Sequence, residues 1–182
     1  YIKYQPLGTI GVISPWNFPV NLVLAPLAGI FAAGNRTMIK PSELTPATSE
    51  VTKKMFEAYF DKSEAAVFTG DAEVGAAFSA LPFDHLLFTG GTQIGKKVMK
   101  AASDNLVPVT LELGGKSPVI VDEDANLSDV AKKVMRGKTM NAGQICLAPD
   151  YLMLPKGKSQ EFTKASNDAV SEMFADLKYN DD

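Results

Sequence analysis

The sequence predicts an α/β fold in which a Rossmann-like, doubly wound parallel sheet is followed by the beginning of a second α/β domain. Short β-rich runs alternate with helical patterns, and polar motifs follow the ends of the β-rich runs. This alternation indicates βαβ units, and right-handed crossovers between parallel strands place helices on both faces of a sheet. Ligands of such sheets bind beyond the carboxyl ends of the strands. We therefore expect the polar motifs to form a binding edge.

Five strands and four helices are predicted in the first part of the chain. The strands are expected at residues 8–14, 36–40, 65–70, 85–90 and 107–113. The first helix covers about residues 19–33, the third about 72–80, and the fourth runs through Ile94, Val98 and Met99. The second begins with Thr45 as N-cap and Pro46 at the first helical position, where a missing N–H costs nothing. Its core-facing stripe is expected to comprise Val51, Met55, Phe56, Tyr59 and Phe60.

The pattern changes after Gly115. Strands are predicted at 117–122 and 151–155, with an amphipathic helix at 125–140 between them. That helix has apolar residues at helical spacing, namely Leu127, Val130, Ala131, Val134 and Met135. The last helix is expected to bury Phe162, Ala169, Val170, Met173, Phe174 and Leu177. We therefore divide the chain into a domain of residues 1–113 and a second domain of residues 114–182.

Composition narrows the class of protein. A net charge of −3 gives no reason to expect nucleic acid or an anionic membrane as a partner. The longest uncharged apolar run, residues 22–34, is too short to cross a bilayer. One cysteine and one histidine provide no zinc site and no internal disulfide, which fits a reducing compartment such as the cytoplasm. The chain does not begin with Met, and we expect it to be part of a longer protein.

Two motifs in the first domain suit a nucleotide. "FTGGTQIG" (88–95) places glycines where a strand turns into a helix, whose N-terminal N–H groups can hold a phosphate. Its spacing differs from the G-x-G-x-x-G fingerprint, and a plain tight turn is an equal alternative. "KPSE" (40–43) offers Glu43 to ribose hydroxyls, the alternative being a solvated ion pair with Lys40 in a turn.

Three further residues are candidates for chemistry. Cys146 is the only thiol, and its alternative is a small buried apolar residue. Glu112, between leucines, is either a buried general base or a solvated residue of an edge strand. Asn17 lies in the "PWNFP" turn, where its amide can donate to an oxyanion or serve the turn alone. A cysteine–histidine hydrolase would need His85, which we interpret as a structural or surface residue.

In this order, "SPWNFP", "KPSE", "FTGG", "LELGGKSP" and "NAGQIC" resemble the NAD(P)-dependent aldehyde dehydrogenase superfamily. The resemblance covers nearly the whole chain. "LPFDH", "PVTLELGGKSP" and "CLAPDY" are most similar to the class 3-like branch, which includes coniferyl aldehyde dehydrogenases and enzymes of fatty or aromatic aldehydes. The resemblance implies that the first domain binds NAD(P) and that the second is the start of the catalytic domain.

The resemblance also implies roles for the candidates. Cys146 would attack the aldehyde to give a thiohemiacetal, and Asn17 with the Cys146 backbone N–H would hold the oxyanion. Hydride transfer to the cofactor would leave a thioester, which Glu112 would help water to hydrolyse. The cofactor-binding residues would be Ser14, Pro15, Trp16, Lys40, Ser42, Glu43, Gly70, Thr89, Gly90, Gly91, Leu113 and Gly114.

The sequence departs from the family pattern at one cofactor position. Gly91 stands where many members carry a serine that helps to hold a phosphate. We expect NAD as cofactor with NADP as a weaker one, an aldehyde as substrate, and a homo-oligomeric full-length protein. The alternative function is a dinucleotide-binding module without catalysis, which would need neither Cys146, Glu112 nor Asn17.

Overall fold

The computed structural model describes residues 1–175. The chain divides into two compact units, Tyr1–Gly114 and Gly115–Asp182, and each is described by itself. Leu177, predicted to lie on the buried side of the last helix, is outside the described residues.

The first unit contains a five-stranded parallel sheet. In chain order the elements are β1 (Thr9–Ile13), α1 (Asn21–Ala32), β2 (Arg36–Lys40), α2 (Pro46–Tyr59), β3 (Ala65–Val67), α3 (Ala72–Ser79), β4 (His85–Thr89), α4 (Thr92–Ser103) and β5 (Val109–Glu112). The strand order is β3-β2-β1-β4-β5, and every neighbouring pair is parallel. The predicted α/β fold with a parallel sheet is confirmed.

Side chains alternate between the two faces of a sheet along each strand. Helices cover both of these faces. One buried cluster joins β1, β2 and β3 to α1 and α2, with Val12, Val23 and Phe56 among its members. A second cluster includes Leu86 and Phe88 of β4 together with α3 and α4. The sheet is therefore doubly wound, which leaves the ends of its strands as the place for a ligand.

The predicted stripe of α2 is wrong in part. Val51, Met55 and Tyr59 are exposed, while Ser49, Thr52 and Phe56 are buried and Phe60 is half-buried. The buried residues share one helical face at i, i+3 and i+7. Their hydroxyls bond to the main chain, because Ser49 Oγ donates to the Ser42 carbonyl (2.9 Å) and Thr52 Oγ1 to the Thr48 carbonyl (2.9 Å). Small polar residues thus pack on the sheet where the pattern favoured larger apolar ones.

Two local expectations also differ from the structure. β3 ends at Val67, three residues before the predicted end, because the chain turns into α3 at Gly70, whose φ is +152°. Thr45 occupies the N-cap of α2 but forms no side-chain cap, and its Oγ1 lies 3.5 Å from the Ser42 carbonyl oxygen instead. Pro46 does begin the helix as expected.

The second unit contains a two-stranded parallel sheet and two helices. Its elements are β6 (Ser117–Ile120), α5 (Leu127–Thr139), a short 3₁₀ turn (Met140–Gly143), β7 (Pro149–Met153) and α6 (Ser159–Met173). The core comprises Val121, Leu127, Ala131, Val134 and Phe162. Of the residues predicted to be buried on α6 and just after it, Met173 and Phe174 are exposed. Within residues 1–175, no helix is long and apolar enough to cross a membrane.

Candidate active site

The predicted cofactor residues of the first unit lie at or just beyond the carboxyl ends of its strands. The chain leaves β1 through α1 towards β2, whereas β4 lies on the other side of β1. This arrangement is the switch point at which open α/β sheets bind ligands. Trp16 and Glu43 are exposed, while Ser14, Lys40 and Ser42 are buried.

Lys40 and Glu43 form an ion pair at the end of β2. The Lys40 Nζ lies 3.3 Å from Glu43 Oε2 and donates to the Pro41 carbonyl at 2.9 Å. The Lys40 side chain is only 3% exposed, whereas that of Glu43 is 45% exposed. A buried ammonium needs such partners, because desolvation without them is costly. The geometry therefore makes Lys40 a support for Glu43, and Glu43 the group that can meet a ligand.

Ser42 and Ser14 are less available than the pattern suggested. Ser42 Oγ accepts from the Leu44 N–H at 3.2 Å, and the residue is buried. Ser14 N–H donates to the Lys40 carbonyl at 3.2 Å, which ties the ends of β1 and β2 together. The Ser14 Oγ is buried and has no hydrogen-bond partner among the described residues. Neither hydroxyl is therefore exposed to a ligand in this structure.

The turn between β4 and α4 is built around the Phe88 ring. A Cβ on Gly90 would lie 2.6 Å from Phe88 Cζ, and one on Gly95 would lie 2.8 Å from Leu113 Cδ2. Two of the glycines in "FTGGTQIG" are therefore explained by packing. Gly91, the N-cap of α4, is different, because a Cβ there would meet nothing within 4 Å. Position 91 is thus open at the start of a helix.

Glu112 ends β5, which is an edge strand of the sheet, and its side chain is exposed in this unit. Its carbonyl accepts from the Gly90 N–H at 3.0 Å, so the ends of β4 and β5 are held together. Leu113 packs against the cluster around Phe88, and Gly114 is open. Within the first unit the edge-strand alternative describes Glu112 better than a buried carboxylate.

The segment before Cys146 has an unusual backbone. Asn141 and Ala142 have φ of +50° and +53°, and Gly143 follows with +78°. Left-handed backbone costs an ordinary L-residue about 1–2 kcal/mol, and asparagine adopts it more readily than other residues, so the strain falls on Ala142. Cys146 follows this turn with an exposed thiol. Among the described residues Cys146 is therefore exposed, which differs from the alternative of a buried apolar cysteine.

The three predicted catalytic residues are divided between the units. Asn17, which is half-buried, and Glu112 belong to the first unit, and Cys146 belongs to the second. Their assembly into one site stays a prediction. His85 lies on β4, with its Nε2 2.8 Å from Thr110 Oγ1. Within residues 1–175, no three His, Cys, Asp or Glu side chains cluster as a metal site requires.

Sequence reasoning missed three features near these motifs. Asp71 caps α3, since its Oδ1 accepts from the Glu73 N–H (3.0 Å) and the Val74 N–H (3.2 Å). An aspartate directly before a helical pattern is a known start signal and could have been used. The left-handed pair before Gly143 and the close approach of Gly115 to the Cys146 main chain have no such local signal.

Comparison with known proteins shows which proteins this chain is similar to. The chain is 61% identical over 181 residues to a probable coniferyl aldehyde dehydrogenase of Caulobacter vibrioides, covering 100% of this chain and 37% of that protein. A substrate-bound AldH structure from Staphylococcus aureus has a TM-score of 0.92 and 45% identity, over 96% of this chain and 38% of the other. An aldehyde dehydrogenase C mutant from Pseudomonas syringae, solved with NAD⁺ and octanal, has a TM-score of 0.86 and 30% identity, over 92% of this chain and 35% of the other. The chain therefore spans less than two fifths of the length of these relatives. Residues 1–180 match the model of the aldehyde dehydrogenase family, and the chain belongs to that family.

Proposed function

We propose that these residues bind NAD and carry the thiol of an enzyme that oxidises an aldehyde to a carboxylic acid. The observation that carries the proposal is the exposed, solitary thiol of Cys146 behind a strained turn. Strained backbone conformations cluster at functional sites, and this one lies four positions before the thiol, at Ala142. A dinucleotide-binding module would need neither this thiol nor the turn, so the observation favours the enzyme.

The residues of the first unit fit an adenine dinucleotide. The exposed Glu43 carboxylate suits ribose hydroxyls, and Lys40 holds it from beneath. The N-terminus of α4, with the open Gly91, suits a phosphate. Exposed Trp16 would lie beside the pyrophosphate, with Thr89 at the end of β4 and Gly70 three positions after β3. When bound, NAD supplies the acceptor for the hydride that leaves the aldehyde carbon.

The side chains of this chain would perform the remaining steps. The Cys146 thiolate attacks the aldehyde carbon, and the Asn17 amide with the Cys146 N–H holds the resulting oxyanion. The tetrahedral thiohemiacetal carbon then loses hydride and becomes a thioester. Glu112 takes a proton from water, the hydroxide attacks the thioester, and the thiolate of Cys146 leaves as the carboxylic acid forms. An aldehyde needs the thiolate first, because its trigonal carbon is a poor hydride donor.

We propose coniferyl aldehyde or a related aromatic aldehyde as substrate. The support is the 61% identity to a probable coniferyl aldehyde dehydrogenase. A neighbour solved with octanal makes a long-chain aliphatic aldehyde the second candidate. The full-length protein should oxidise coniferyl aldehyde with a kcat/KM at least about tenfold above that for octanal, a difference of about 1.4 kcal/mol in transition-state binding. A higher kcat/KM for octanal would contradict the aromatic assignment.

The thiol assignment is tested by Cys146→Ala in the full-length protein. Removing the nucleophile of a covalent mechanism should lower kcat by at least about 10⁴-fold, while calorimetric NAD affinity stays within about twofold. Glu112→Gln should allow the thioester to form and slow its hydrolysis, so that intact-protein mass spectrometry detects an acyl-enzyme. Normal turnover of Cys146→Ala would contradict the proposal.

The 182-residue chain alone should give no steady-state aldehyde oxidation. Reacting groups need placement within a fraction of an ångström, and most of the length of the relatives is outside this chain. NADH formation by the purified chain would contradict this expectation. We also propose a homo-oligomeric full-length protein in the cytoplasm, where a free thiol persists; sedimentation of the full-length protein tests the oligomer.

A further inference from the structure

Gly115 lies against the main chain of the proposed nucleophile. A Cβ built on Gly115 would be 2.5 Å from the Cys146 carbonyl oxygen and 3.7 Å from its carbonyl carbon. The obstacle is backbone, which cannot swing aside as the end of a flexible side chain can. A side chain at position 115 would therefore require the two segments to separate by close to 1 Å to restore ordinary contact at 3.4 Å or more.

The neighbouring residues leave little room for such a separation. Ser117, two positions after Gly115, pairs with Pro149 in the β6–β7 ladder. Lys116 Nζ lies 3.2 Å from Asp150 Oδ1, but the Lys116 side chain is 80% exposed, so this ion pair between the same two segments adds little restraint. On the other side of Cys146, the chain approaches through the left-handed turn from Asn141 to Gly143. The Cys146 main chain therefore lies between this turn and the ladder pair of Ser117 and Pro149, with Gly115 against its carbonyl.

We propose that Gly115 is a positioning residue for the Cys146 thiol, an inference that rests on the proposed function. The absence of a side chain lets the Cys146 carbonyl lie against the Gly115 backbone. This contact sets the direction of the Cα–Cβ bond that carries the sulfur and of the N–H that would hold the oxyanion. A misplacement of about 1 Å at a reacting group costs about 10²-fold in rate.

The test is Gly115→Ala in the full-length protein, with Gly29→Ala as the matched control. Gly29 lies on α1, and a Cβ there would meet nothing within 4 Å. Gly115→Ala should lower kcat about 100-fold, while the KM for aldehyde and the calorimetric Kd for NAD change less than about threefold. Gly29→Ala should keep kcat within about twofold of wild type. A contact that serves stability alone would lower the melting temperature and leave kcat below that temperature unchanged.

Several results would overturn the inference. Unchanged kcat in Gly115→Ala would show that the main chain of Cys146 does not depend on this contact. A variant that loses both its cooperative melting transition and NAD binding would show that Gly115 serves folding and not the thiol. Cys146→Ala separates failure of the proposed function from failure of this inference. If Cys146→Ala is active, the proposed function is wrong. If Cys146→Ala is inactive and Gly115→Ala behaves as wild type, only the role of Gly115 is wrong.

Discussion

Within residues 1–175 the two units differ in how completely they bury their sheets, and the chain spans less than two fifths of the length of its relatives. The first has five parallel strands with a buried cluster on each face. The second has two parallel strands and one cluster, with Ile120 of β6 and Met153 of β7 paired in register and both exposed. Parallel sheets are usually covered on both faces, and a two-stranded sheet is marginal without further packing.

The difference separates two kinds of site. The residues proposed to meet the cofactor stand on the ends of strands in a well-buried sheet, so their placement is supported from within the unit. The proposed nucleophile stands on a turn in a unit to which this chain, spanning less than two fifths of its relatives' length, contributes two strands and one cluster. Cofactor binding should therefore tolerate excision and substitution better than thiol chemistry does.

The largest expected effect is on independent folding. Residues 1–114 expressed alone should show a single cooperative urea transition by circular dichroism, because the sheet and both clusters lie within them. Residues 115–182 expressed alone should show no cooperative transition, because two strands and one cluster bury too little apolar surface. A cooperative urea transition of residues 115–182 alone would contradict the expected difference between the two units.

Two substitutions in the first unit test which face of α2 is buried. Phe56 is 2% exposed and stacks on Phe60, with ring centroids 5.1 Å apart. Phe56→Ala should lower the free energy of unfolding by about 3–5 kcal/mol. Met55→Ala, on the exposed side, should cost less than about 1 kcal/mol. Urea unfolding of the full-length protein measures both, and equal losses would contradict the observed face.

Cofactor preference should depend on Glu43. Its carboxylate accepts bonds from ribose hydroxyls and repels the additional phosphate of NADP, while the adjacent Lys40 moderates that repulsion. We expect a preference for NAD of about 1–2 kcal/mol, or roughly five- to thirty-fold in kcat/KM. Glu43→Gln should reduce the preference for NAD over NADP, because it removes the repulsion of the phosphate. The exposed Glu50 of α2 provides the control Glu50→Gln, which should leave the ratio unchanged. An unchanged ratio in Glu43→Gln at fixed ionic strength would show that Glu43 does not face the ribose.

The smallest expected effect concerns the open N-cap of α4. Gly91→Ser adds a hydroxyl where nothing lies within 4 Å, and serine caps a helix better than glycine by only a few tenths of a kcal/mol. The melting temperature should rise slightly, and NAD should bind about twofold more tightly if the hydroxyl reaches a phosphate. Weaker NAD binding by this variant would contradict the placement of a phosphate at α4.

The sheet, and the position of the polar motifs at the ends of its strands, could be predicted because their signals are local. Strands alternated with helices, and each polar motif followed a β-rich run, which gave the parallel sheet and the strand ends together. The α2 face could not be predicted from apolar spacing, because Ser49 and Thr52 satisfy their hydroxyls within the backbone and then pack as small residues. The burial of Lys40 could not be predicted either, because it depends on hydrogen bonds from its Nζ to the Pro41 carbonyl and to Glu43.

The surroundings of Cys146 could be predicted only in part. The motif identified the residue by resemblance, and the structure adds that its thiol is exposed. Residue type alone does not indicate the left-handed backbone of Ala142. It also does not indicate that Gly115 lies against the carbonyl of Cys146, 31 positions later. Both arise from long-range placement of backbone, which periodicity does not encode.

The solitary exposed thiol also determines how these residues respond to oxidants. A cysteine oxidised to sulfenic acid is normally rescued by condensation with a second thiol. The 182 residues contain no other cysteine, so a sulfenic acid on Cys146 has no resolving partner within them. Peroxide should therefore carry Cys146 towards sulfinic and sulfonic acid, which dithiothreitol does not reverse, unless a small thiol such as glutathione caps the sulfenic acid first.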